Sequence, residues 1–132
     1  MTTKEVKQWL WRARGIDNEI RALQEIRDHE FERVTAISAK LTGMPATVSK
    51  DPHKYDRLAE LNDQIEQLSE KLTDTKSEIL TKIYRLEDTR HRTVMILYYV
   101  DCMSIEQISA KMHYSVNNIF KLKREAISIL KK

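Results

Sequence analysis

The chain has 132 residues, a third of them charged, with only two glycines and two prolines. That length suits one domain, or one small domain with an extension. So few turn formers among so many charges argue against a sheet protein and for long solvated helices, an all-α fold. The formal net charge of +3 is unevenly spread: residues 1–88 carry 15 Lys/Arg against 17 Asp/Glu, and residues 89–132 carry 8 against 3. The C-terminal excess favours a polyanionic partner for that part and a different task for the rest. Cys102 is the single cysteine, so no intramolecular disulfide can form, which fits a reducing cytosol. No apolar run reaches membrane-spanning length, and the charged N-terminus lacks a signal-peptide core. The expectation is a soluble, cytoplasmic protein with no membrane role.

Thr2 and Glu5 make a capping box for a first helix. Val6, Trp9, Ala13, Ile16, Ile20 and Leu23, and then Val34, Ile37 and Leu41, recur at steps of three and four, a heptad register. The seam turns charged at Arg27 and Glu30, with Ile26 and Phe31 beside it. Gly15 costs about 1 kcal/mol relative to alanine, too little to stop so long a helix. Gly43 and Pro45 should end it near Leu41-Thr42. Thr42–Asp51 reads as a loop, and Asp51-Pro52 as cap and first position of a second helix. There Leu58, Ile65, Leu68, Leu72, Ile79, Ile83 and Leu86 form a second seam, with Thr75 as its polar member. Two helices of roughly 35–40 residues, each about 55 Å long, would fold back into a long antiparallel, coiled-coil-like hairpin over residues 1–87. Two amphipathic helices bury only one stripe each, so the hairpin is expected to form a homo-oligomer, most simply a dimer, or to dock on a protein partner. Trp11 lies about 200° round the helix from Trp9, off the seam, and is left to pack on the C-terminal domain or to mark a partner surface.

Residues 88–132 read as a trihelical domain. Asp88 or Thr89 caps its first helix, with Val94, Leu97 and Val100 or Tyr98 turned to the two helices that follow and Ile96 and Tyr99 to the hairpin. Arg90, His91 and Arg92 are a basic cluster suited either to phosphates or to a solvated helix end. Ser104 and Gln107 form a second capping box, ahead of Ile105, Ile108 and Met112 on one face. The pattern breaks at His113-Tyr114 and restarts after Ser115. Ile119, Leu122, Ala126 and Leu130 then make a buried stripe, with Asn117, Lys121, Arg124 and Ser128 opposite. Two short helices joined by a tight turn, the second polar and basic outside, are a helix-turn-helix signature that places the second helix in double-stranded DNA.

The run LYYVDCMSIEQISAKMHYSVNNIFKLKREAISIL resembles the C-terminal helix-turn-helix of bacterial sigma factors, which reads the promoter −35 element. The whole layout, with Thr42-Gly43-Met44-Pro45 between two N-terminal helices, is similar to phage sigma-like regulators of late transcription of the RinA and ArpU kind. Two positions depart from the sigma pattern: His113 stands where a turn glycine is usual, and Ser109 where a small apolar residue is usual. Histidine tolerates left-handed backbone better than most residues. No segment upstream resembles the sigma region that melts the −10 element, so a complete sigma factor is not expected. The resemblance implies base contacts at Val116, Asn117 and Lys121. Asparagine can read adenine and lysine guanine, each with about 1–3 kcal/mol of discrimination. Ser115, Asn118 and Arg124 are better placed for phosphates, with the amide end of the helix. Lys123 should snorkel beside the buried stripe. Phe120, at the family's aromatic or basic position, is assigned to the core on the usual burial of phenylalanine.

Catalytic and metal motifs do not emerge. His29, His53, His91 and His113 are scattered, none pairs with Cys102 at a zinc spacing, and no phosphate loop or nucleophile elbow occurs. No enzyme, cofactor or metal role is expected. The sequence reads as a sequence-specific DNA-binding transcription regulator of phage or prophage origin, acting as a late-gene activator. Its hairpin would dimerise or contact host RNA polymerase. The alternative is a DNA-binding packaging protein akin to a small terminase subunit, with oligomerising helices.

Overall fold

The computed structural model describes residues 1–41 and 53–132, with side chains for 1–36 and 53–132. The Thr42–Asp51 loop with its Thr42-Gly43-Met44-Pro45 stretch, the Asp51-Pro52 cap and the seam side chains of Ile37 and Leu41 lie outside those residues. The fold is all-α: α1 (Thr3–Leu41), α2 (Asp56–Ile83), α3 (Thr89–Met95), α4 (Ile105–Met112) and α5 (Val116–Leu130), with a π-helical turn at Ile96–Val100 and no strand among the described residues.

The Thr2 hydroxyl accepts the Glu5 amide at 3.2 Å, and α1 then runs for 39 residues. α2 is shorter than its seam suggested, at 28 residues. It starts at Asp56, whose carboxylate lies 2.6 Å from the His53 ring. It ends at Ile83, where the amides of Arg85 and Leu86 turn back onto the carbonyls of Lys82 and Ile83. Leu86 is therefore core without being helical.

The chain forms two compact units, one of residues 1–17 and 71–132, the other of residues 18–70. These units cut the chain elsewhere than at residues 87/88, because the first turns of α1 and the last of α2 pack with the C-terminal helices. In the first unit α1 and α2 are antiparallel. Arg12 meets Glu78 at 2.8 Å, Lys82 lies 4.9 Å from the Trp9 ring and also reaches Met1, so one number rises as the other falls. One cluster gathers Val6, Leu10 and Ala13 of α1, Ile79 and Ile83 of α2, Met95 of α3, Tyr99 of the π-helical turn, and Ala126, Ile127 and Leu130 of α5. A second gathers Val94, Ile108, Ile119 and Leu122, flanked by Leu97 and Met112. Tyr98 packs against both. At about 1.5–3 kcal/mol per fully buried aliphatic side chain, these clusters supply most of the driving force for this unit.

The seam rule placed Trp9 in the core, but Leu10 is fully buried and Trp9 only half so. α1 is covered here from more than one side, which widens the buried arc beyond a two-helix seam. Trp9 instead lies under Arg12 at 4.5 Å and Lys82 at 4.9 Å. Ile127 is buried for the same reason. The expected third helix is split: α3 gives way to the π-helical turn, where Tyr99 sits in the first cluster and Leu97 packs against the second. Among the described residues of the second unit, Ile20 and Val34 of α1 and Leu61 and Ile65 of α2 are buried. Glu30 is buried among them, and Arg33 bonds both its oxygens at 3.2 and 2.6 Å, holding its pKa below the usual carboxylate range.

Candidate nucleic-acid interface

The helix-turn-helix is built from local chemistry. The Ser104 hydroxyl accepts the Gln107 amide at 3.1 Å while the Gln107 side chain accepts the Ser104 amide at 2.9 Å, a complete capping box. α4 ends at His113, which takes left-handed backbone with φ 59° and ψ 36°. A residue other than glycine pays for that conformation, and here the turn holds it on two sides. The Tyr114 amide donates to the Ser109 carbonyl at 3.2 Å, and the Ser109 hydroxyl donates to the Tyr114 carbonyl. The two departures from the sigma pattern thus meet in one turn. The Ser115 hydroxyl then accepts the Asn118 amide at 3.1 Å and starts α5.

Ile119, Leu122, Ala126 and Leu130 of α5 are buried, and Asn117, Lys121, Arg124 and Ser128 are exposed opposite them. Val116 is 37% exposed, and Ser115 is exposed beside it. Asn118 is half-buried, its amide engaged by the cap, so the helix start is fixed before any ligand arrives. Phe120 is corrected: it is 45% exposed, not core. It follows Val116 and precedes Arg124 at steps of four, in line with the outer face. The six residues expected to meet DNA therefore share the start and outer side of one helix, and Phe120 joins them.

Around that face the charges are sorted. Lys121 lies 4.0 Å from Glu125, and Glu125 takes a 2.8 Å hydrogen bond from the buried ring of His91. That bond, followed by the charges of Lys121, His91 and Arg90, holds the Glu125 pKa below its ordinary value. Arg90 is engaged by Asp88 at 3.0 Å, and Arg92 donates to the Leu86 carbonyl and the Thr89 hydroxyl. The Arg90-His91-Arg92 cluster is thus knitted into the scaffold. Lys123 does not snorkel out to water as expected: its ammonium lies 4.0 Å from the Tyr98 ring centre, and burial, then Lys7 and Arg14, lower its pKa. Sequence reasoning missed Glu125, whose partner is 34 positions away.

Residues 35–131 match the protein family described as a protein of unknown function, DUF1492. The chain belongs to the DUF1492 family. The matched segment includes all of α2 to α5, so the interface lies within what defines DUF1492 proteins. No curated protein and no solved structure matches this DUF1492 chain. Among the described residues, no helix is long and apolar enough to cross a membrane, and no three His, Cys, Asp or Glu side chains group as metal ligands.

Proposed function

We propose that this DUF1492 protein is a sequence-specific DNA-binding transcription regulator, of the phage sigma-like kind that activates late genes at a promoter-like element. The observation that carries the reading is the outer face of α5. It presents Asn117, Lys121 and Arg124 to solvent beside Val116, on a helix held by its cap and by two buried clusters. A helix of 15 residues is about 22 Å long and fits the major groove. Asn117 and Lys121 would read base edges. Ser115, Asn118, Arg124 and the helix-start amides would hold phosphates. The long helices would supply a dimer interface or a contact to host RNA polymerase in the bacterial cytoplasm.

Selection of bound fragments from genomic DNA, followed by titration of the preferred duplex at two salt concentrations, tests this. Enrichment of a common site, with affinity falling steeply as salt rises, is the expected result. No enriched site, or affinity indifferent to salt, overturns it. Ile26 and Phe31 are large apolar side chains exposed on α1. They favour self-association, which a packaging protein of the small-terminase kind shares. Mass in solution separates the two: a monomer or dimer agrees with the regulator, and a closed ring of roughly eight or more copies with packaging.

A further inference from the structure

Within the first unit, α1, the π-helical turn and α5 border a groove of 370 Å³, lined by Lys7, Gln8, Trp11, Tyr98, Tyr99 and Lys123. Its walls are aromatic. Trp11 is 43% exposed, and its ring centre lies 6.4 Å from that of Tyr98. The Arg14 guanidinium sits 5.0 Å from the Trp11 ring and 4.4 Å from Tyr98, and it donates to the carbonyls of Tyr98 and Met103. The arginine therefore bridges the two rings and ties them to the backbone of the π-helical turn and the link after it.

The electrostatics are one-sided. None of the six lining residues is acidic. Lys123 is partly desolvated, and the charges that act on it, Lys7 and Arg14, are both positive. Like charges gathered against apolar surface are costly without an anion, and an arriving carboxylate would relieve that cost. A large apolar side chain would meanwhile cover the exposed tryptophan.

We infer that this groove docks an acidic peptide segment of a protein partner, one carrying a large aromatic or aliphatic side chain beside its carboxylates. A peptide is favoured over nucleic acid by position. Lys123 lies about 100° round α5 from Arg124, so a duplex lying on the Arg124 face leaves the groove uncovered. The site is independent of the DNA-binding reading and would allow both partners at once.

The test is a displayed library of random short peptides, panned on the full chain and counter-selected on a Lys7→Gln/Lys123→Gln variant. Recovered peptides should be rich in Asp and Glu around Trp, Phe or Leu. A labelled synthetic winner should bind Trp11→Ser about tenfold more weakly, the scale of one lost anchoring contact, and the double variant, which loses two charged contacts, more weakly still. An excess of mixed-sequence duplex should not displace it. Thermal melts check folding, and Lys7→Gln alone, at an exposed position, carries the comparison if the double variant melts early. No enrichment, enrichment of neutral or basic peptides, equal binding to the variants, or displacement by duplex would each overturn the inference.

Discussion

The two compact units use similar amphipathic helices to different ends. In residues 1–17 and 71–132 the helices share two clusters, α5 contributing to both, and side chains as large as Tyr99, Leu10, Ile79 and Met95 are almost wholly buried. Among the described residues of 18–70, those buried are Ile20, Val34, Leu61 and Ile65, with Glu30 among them, and Ile26 and Phe31 stay exposed. A stripe on a helix can bury only what a partner covers. The difference therefore separates a unit able to hold a precise surface from one whose apolar residues still have surface to cover.

The sharpest way to break that comparison is to hollow both units. Ile79→Ala should cost about 2–5 kcal/mol, as for a fully enclosed aliphatic side chain, and Leu61→Ala, at a residue 9% exposed where Ile79 is wholly buried, should fall at or below the low end of that range. Denaturant unfolding of both variants reads this, and equal losses would erase the distinction. Next in size is a function loss without a stability loss. Asn117→Ala and Lys121→Ala should each weaken binding to the selected duplex by about 1–3 kcal/mol, read by anisotropy, while melting within a degree or two of the parent. Ser104→Ala removes one arm of the capping box and should destabilise by about 1 kcal/mol. The smallest effect is with pH. The side chain and backbone amide of Arg90 hold the Asp88 pKa down to about 2. A carboxylate depressed on folding adds stability above its unfolded pKa and loses it as pH falls through the folded value. The parent's melting temperature should therefore drop more steeply than that of Asp88→Asn between about pH 4 and pH 2.

Local chemistry was readable in the sequence. Asp88, Ser104 and Ser115 act as caps because a cap depends on residues within one turn, and the α5 stripe shows because a period of 3.6 is a property of that segment alone. What escaped depends on neighbours distant in the chain. Leu10 and Ile127 are buried by a further packing partner that a two-helix seam does not include. Phe120 was placed inside on average behaviour, although its spacing with Val116 and Arg124 put it outside. The Glu125–His91 pair and the Lys7–Trp11–Lys123 groove join residues that only the fold brings together.

The π-helical turn at Ile96–Val100 has a consequence for how this stretch can vary. Along it Leu97 packs against one cluster and Tyr99 sits in the other, with Tyr98 touching both. A π-helical turn holds one residue more than the α-helical turn it stands in for, so losing a single residue here would relax it to regular helix and leave the flanking segments in phase. A one-residue change of length is therefore better absorbed at this turn than inside α5, where it would rotate every side chain beyond it by about 100°.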